Sequence, residues 1–431
     1  MTPSIAVPSA LKSGLTAVEP STLSNGMQLA WLPQANAPRL ALNFFLPGGN
    51  LIDGKPGLSD LVDRLLLKGT DTRSQEQIAE LLDGSSLELD IDTRRDSTIL
   101  SAVLLPEDLD ESLELIQDLM YHATLADYDK EKQQMAGEIQ MELDSPQSRA
   151  SDLLIRTVFG GTPYGVTSTV FLESMDALSS LEPLREHYFG AYRPERMVVS
   201  ASGPISGDVL AKKLEAHFPK RGVGQSLTVS DATQKALRAH TISTSKLVNV
   251  VKDDSAQAHI YKAWMAPPVD SDDTYSISVM NTLFGGAGLS ARLFLELRDK
   301  QGLAYSVRSS FDAYRYSGLY KIYIGTEPSN KDKCLVGFET ECGKLINELV
   351  SAQELAETKT NILGRRQVFL ETSSQWAAYV GGSLAQGRTL AQLAEYEDRI
   401  LSVTSADIQR VSQQIFNSPS VISIVGPSSI F

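Results

Sequence analysis

The chain has 431 residues, 42% of them apolar and 21% charged, with a formal net charge of -14. That length exceeds what one hydrophobic core usually serves and predicts two domains or two packed halves. The acidic balance excludes a nucleic-acid surface, which sets cationic groups against phosphate.

In chain order, the opening "MTPSIAVPSALKSG" lacks the basic and apolar regions of a secretory signal. As it stands this places the protein in the cytoplasm; a chain trimmed of an export signal would read the same and be periplasmic. No apolar run approaches the ~20 residues that cross a bilayer. "LSNGMQLAWLP" then sets Asn25-Gly26, the preferred type I′ pair, ahead of an alternating run and predicts a hairpin. "RLALNFFLPGG" reads as a buried strand and "STILSAVLLP" as another. Apolar periodicity predicts helices from Leu58 to Leu67, Gln75 to Leu82, Leu109 to Tyr121, Tyr128 to Leu143 and Met175 to Phe189. Around "FPKRGVGQSLTVSDATQKAL" the periodicity fails, so a linker is expected over residues 223–236.

Beyond it the order recurs. "AHIYKAWMAPP" repeats the early strand with its proline stop, and "GLSARLFLELRDKQGL" repeats the Gly-Leu-Ser opening of "GLSDLVDRLLLKGTDTRS". "YRPERMVVSASGP" and "NSPSVISIVGP" end both copies on Gly-Pro. A duplicated α+β unit accounts for these matches, one half over residues 1–222 and the other over 237–431. Cys334 and Cys342 stand about two turns apart on a helix predicted from Lys333 to Val350, so no mutual bridge is expected.

The chemistry-bearing residues are sparse. His122, His187, His217, His240 and His259 include no pair at the four-residue spacing that gives two metal ligands from one helix face, and each reads as a surface or partly buried residue. There is no G-x-S-x-G elbow. "FGGAGLS" lacks the Lys-Ser/Thr ending of a phosphate loop and reads as a strand-to-helix turn.

"GLSDLVDRLLLKGTDTRS" resembles the inverted zinc-motif (inverzincin) segment of the pitrilysin, insulin-degrading enzyme and mitochondrial processing peptidase family, in which G-x-A-H-F-L-E-H-M-x-F-K-G-T is typical. Gly57 and Lys68-Gly69-Thr70 match its ends, but Asp60 and Arg64 stand where that family has two histidine ligands, and Asp63 where it has the glutamate base. Glu131 and Glu138 keep the spacing of its second acidic helix, Glu138 matching the third ligand and Glu131 its supporting carboxylate. The resemblance therefore implies a vestigial metal site and no zinc on this chain. Asp60 and Arg64 could simply support an exposed helix as an i,i+4 pair, by ~0.3 kcal/mol; a sharper expectation brings Arg64 to Glu138, its cation replacing the metal's charge.

"GLSARLFLELRDKQGLAYSVRSSF" resembles the carboxyl-half signature of the same family closely, with Arg298 and Tyr305 matching its arginine-tyrosine pair. The resemblance implies an α+β fold of two homologous halves, each a mainly antiparallel sheet flanked by helices, together half of a clamshell. It implies a non-zinc-binding subunit that is inert alone and binds peptide through Arg298 and Tyr305 at the zinc of a homologous H-x-x-E-H partner. The competing class is a structural subunit of the same fold, like the core proteins of the respiratory cytochrome complex; retention of both Arg298 and Tyr305 favours the peptidase.

Overall fold

The computed structural model describes Val18, residues 20–222 and residues 226–431. The stretch read for an export signal, and positions 223–225 of the expected linker, lie outside the described residues.

Eleven strands are described: β1 (Ser21–Thr22), β2 (Gln28–Pro33), β3 (Leu40–Pro47), β4 (Glu88–Thr93), β5 (Ser97–Leu104), β6 (Val198–Gly203), β7 (Lys246–Val251), β8 (Ala258–Ala266), β9 (Ala304–Ala313), β10 (Gly318–Thr326) and β11 (Ser420–Gly426). They form two sheets, ordered β1-β2-β6-β3-β5-β4 and β7-β11-β8-β10-β9. Without β1 the orders are the same: in each sheet the first and last strands of the copy lie side by side and parallel. The other pairs are antiparallel. The fold is α+β, built from two similar halves.

The chain divides into two compact units that interleave in sequence. One comprises Phe171–Ser230, Gln367–Ala394 and the described part of Met1–Gly137; the other comprises Glu138–Val170, Asp231–Arg366 and Glu395–Phe431. Each sheet is thus covered by a helix distant in sequence. In the first unit the Ser373–Ala385 helix packs on β3 and β6. Gly381 permits the approach, since a Cβ there would fall 2.3 Å from the Phe45 ring. The buried Ser200 hydroxyl donates to the Ala377 carbonyl at 2.6 Å. In the second unit the Pro146–Val158 helix packs on β8 and β11, and the buried Ser423 hydroxyl donates to the Ala150 carbonyl at 2.7 Å. A serine on the last strand of each copy makes the same bond to its covering helix, a likeness the sequence pattern does not display.

The strand predictions hold, and the helices up to residue 144 hold within two residues. Several expectations do not. Asn25 lacks the positive φ of a type I′ turn, which here belongs to Gly26 alone (φ 97°). Its amide instead donates to the Leu214 and Phe218 carbonyls, satisfying a helix end. The helix expected from Met175 to Phe189 is a short turn, Met175–Ala177, followed by a helix over Glu182–Ala191, with Pro183 within its first turn, where its missing N–H costs no helix bond. A helix, Asp231–Ala239, begins inside the expected linker. "FGGAGLS" follows a helix rather than a strand: Asp273–Asn281 continues through a wide turn over Thr282–Gly286.

The two Gly-Leu-Ser stretches are not equivalent either. The first opens the helix that follows β3, whereas the second precedes the last helix before β9, whose counterpart by order is Gln75–Gly84. The strand order, not that tripeptide, carries the duplication. Cys334 and Cys342 lie on Lys331–Asn347, buried and unbridged.

Candidate functional site

The Leu58–Leu66 helix starts after Gly57, whose φ of 85° and lack of a Cβ let the chain pass the Phe171 ring; a Cβ would lie 1.7 Å from it. Leu58, Leu61, Val62, Leu65 and Leu66 are all buried. Each such side chain contributes about 1.5–3 kcal/mol of transfer free energy. The anchorage extends to the polar residues. Asp63 is buried and accepts from the Tyr192 and Thr93 hydroxyls. Asp60 accepts from the Asn50 amide at 2.7 Å. Ser59, 2% exposed, donates to Asp53 at 2.6 Å and lies 3.0 Å from His187 Nε2.

Burial pushes the carboxyls up, Asp63 to about 8 and Asp53 to about 7, despite their hydrogen bonds; Asp60 is raised for the same first reason. Burial lowers His187 to about 4, with the Arg196 charge adding to it. Ser59 directs its hydroxyl proton at the Asp53 carboxylate rather than at His187. That arrangement, sealed from solvent, lacks the serine-to-histidine proton path of a nucleophile. Asp53, Ser59 and Asn50 escaped the sequence reading, and His187, expected at the surface or partly buried, is buried because its ring packs inside the unit beside Ser59. The signal was available for His187, which lies three residues after Leu184 and four before Ala191 on the buried side of Glu182–Ala191.

Arg64 faces Glu131, with Nη1 3.8 Å from Oε2. Lys68 Nζ lies 2.8 Å from the other oxygen of the same carboxylate, an ion pair outside hydrogen-bond angles. Glu131 is 3% exposed, and two cations offset the cost of burying its charge. Asp60 is bonded by Asn50 and Arg64 faces Glu131, while the Arg64 charge also acts on the Asp60 carboxyl. Within this unit the carboxylate beside Arg64 is Glu131; Glu138 opens the second unit. The trailing Thr70 fastens the turn, donating to Asp118 at 2.7 Å, and Arg73 joins that carboxylate at 2.6 Å.

This set does not fit zinc. The position of one histidine ligand holds a cation, and Asp60 and Asp63 are engaged by Asn50, Thr93 and Tyr192. Among the described residues no group of three or more His, Cys, Asp or Glu is placed to hold a metal ion. The remaining histidines have ordinary partners: His122 with Asp118, His217 with Asp110, His240 with the Val158 carbonyl and His259 with Tyr323.

The second unit carries the other candidate residues. Arg298 lies on a wide helical turn, Phe294–Lys300, pinned by the fully buried Leu297. Gly337 of the Lys331–Asn347 helix receives Leu297, since a Cβ there would meet its Cδ2 at 2.5 Å. The chain leaves through Gly302 (φ 63°), whose N–H donates to the Arg298 carbonyl at 3.0 Å. It enters β9, the edge strand, where the register against β10 shifts: Gly325 opposes Ser306 but Thr326 opposes Ala304. Tyr305 is the extra residue of this bulge, a device that bends a strand and re-aims a side chain. It is 78% exposed. The Arg298 guanidinium carbon lies 5.6 Å from the Tyr305 ring centre and 4.6 Å from that of Phe294. The structure thus brings Arg298 and Tyr305 together beside an aromatic neighbour that sequence reasoning left unassigned.

Comparison with known proteins finds similarity along most of the chain. A family model described as Insulinase (Peptidase family M16) matches residues 34–168, and one described as Peptidase M16 inactive domain matches residues 180–362. An uncharacterized zinc protease of Mycobacterium leprae is 26% identical over 86% of this chain and 82% of its own. One of Bacillus subtilis is 25% identical over 94% of this chain and 98% of its own. Among solved structures, a peptidase M16 inactive domain from Pseudomonas fluorescens superposes with a TM-score of 0.85 at 20% identity, covering 95% of this chain and 98% of that one. A protease from Helicobacter pylori gives 0.85 at 21% identity, covering 95% and 99%. The two models together span most of the chain, which belongs to peptidase family M16. No helix among the described residues is long and apolar enough to cross a membrane.

Proposed function

We propose that this chain is the non-zinc-binding subunit of a heterodimeric zinc peptidase, presenting Arg298 and Tyr305 to a peptide held at the zinc of a homologous H-x-x-E-H partner. The observation that carries the reading is the contrast between the two sites. The helix matching the zinc motif has its polar groups committed to internal partners, whereas Tyr305 is turned outward by a bulge with Arg298 beside it. A guanidinium donates two hydrogen bonds to peptide carbonyls, and a phenol donates one to an oxygen that gains negative charge as the carbonyl is attacked. The partner supplies the metal, the water and the glutamate base. Glu131 and Glu138 are then remnants of an ancestral metal site. An extended substrate added to a sheet edge of the partner would meet Arg298 and Tyr305 as the two subunits close on it. The net charge of -14 favours basic peptides.

The test is to combine the purified chain with a candidate H-x-x-E-H subunit and assay a panel of internally quenched peptides. Cleavage is expected only in the mixture, and less than one zinc per chain in metal analysis of this chain alone. Arg298→Ala and Tyr305→Phe should each lower kcat/KM about 100-fold, the scale for losing one transition-state donor. A complex that assembles but cleaves nothing, or full activity in both variants, would turn the reading toward a scaffold.

A further inference from the structure

We infer that Phe294 is a positioning residue for Arg298, holding the guanidinium against its ring so that the N–H edges stay available to a peptide; this rests on the reading of Arg298 as a peptide-binding group. Arginine is long and loses much rotamer freedom when fixed, so a site that needs it in one place benefits from holding it beforehand. The usual restraint is a carboxylate, as Arg292 shows on the same segment: it is locked bidentate by Glu354 at 2.6 and 2.7 Å. A carboxylate would occupy the donors that a peptide carbonyl needs. An aromatic face attracts the same cation without using an N–H. Phe294 is half-buried one turn before Arg298, with the guanidinium carbon 4.6 Å from its ring centre, nearer than the 5.6 Å to Tyr305. The ring's backbone is itself fixed, because Leu293 and Leu297 on either side are fully buried and Gly337 receives Leu297. The chain of support therefore runs from the Lys331–Asn347 helix through Leu297 and the wide turn to Phe294, and from there to the guanidinium.

The experiment uses the full-length chain and phenylglyoxal, which modifies guanidinium groups, with modification rates read at each arginine by peptide mapping. Arg94, with 67% of its side chain exposed, is the internal reference. Relative to Arg94, the Arg298 rate should rise about two- to fivefold in Phe294→Leu, which keeps an apolar side chain but removes the face, and return to the wild-type value in Phe294→Tyr. Equal Arg298 rates in the two variants overturn the inference, as does a rise that Arg94 shares. In the partner complex, Phe294→Leu should raise KM by the same factor with kcat held, and Phe294→Tyr should restore it. The two ideas fail separately. An inactive role for Arg298 would appear as unchanged cleavage in Arg298→Ala, whereas absent stacking would appear in the modification rates of the isolated chain.

Discussion

The Leu58–Leu66 and Phe294–Lys300 helices both lie between the second and third strands of their copies, yet they treat polar residues in opposite ways. In the first, Asp60, Asp63 and Arg64 each have a partner inside their own unit: Asn50, the Tyr192 and Thr93 hydroxyls, and Glu131. In the second, Arg298 lies against the Phe294 and Tyr305 rings, and Tyr305 stands out of a strand that has bulged around it. The edge strands differ in the same sense. β4 pairs with β5 in unbroken register, while β9 slips by one residue against β10 where Tyr305 sits. Two copies of one strand order thus separate two uses of polar chemistry. One consolidates its unit, and the other leaves donors exposed at a small cost to the sheet.

That contrast predicts which variants harm function and which harm folding. The largest effect is kinetic: in the partner complex Arg298→Ala should lose about 100-fold in kcat/KM, while Asp60→Asn, which keeps a group able to bond Asn50, should change it less than about twofold. Equal losses in both would mean that the first helix still takes part in catalysis. Next comes stability. Asp63→Ala leaves the buried Tyr192 hydroxyl without its acceptor, removes one of two partners from Thr93, and should cost about 2–4 kcal/mol in urea unfolding. A cost under about 0.5 kcal/mol would show that the carboxyl is not what holds the helix.

The sequence made much of this readable, for physical reasons that differ from place to place. Strands β3, β5 and β8 were legible because their apolar runs stop at proline or turn residues, and the first helices because their apolar positions recur with the helical period. Arg298 and Tyr305 could be picked out by resemblance alone; nothing in their spacing reveals the bulge, which depends on the register against β10. The buried set Asp53, Ser59, Asp63 and His187 was hidden for another reason: polar residues are read as solvated unless partners are known, and His187 and Tyr192 lie more than 120 residues away from Ser59 and Asp63. The interleaving of the units in sequence was equally invisible, since an apolar helix face does not say which sheet it covers.

The smallest expected effect separates the two regions by pH. Asp63 and Asp53 are raised by burial to about 8 and about 7, so the folded chain keeps protons that unfolded carboxyls lose near pH 4. Where the unfolded state binds fewer protons, stability falls as pH rises, by at most about 1.4 kcal/mol per pH unit for each extra proton. His187 works the other way: lowered to about 4, it stays neutral when folded while the unfolded imidazole charges below about 6.5, so its contribution to stability is lost as pH falls from 6.5 to 4. The two oppose each other below pH 6.5, which leaves pH 6.5 to 8 as the window where the carboxyls act alone. Urea midpoints should fall across that window in the wild type and fall less in Asp63→Asn, which keeps an acceptor for Tyr192 but cannot ionise. Tyr305→Phe should leave the whole profile within about 0.5 kcal/mol of wild type, because an exposed hydroxyl on a bulge holds nothing in place. A parallel change in both variants would erase the distinction between a region that stabilises and one that binds.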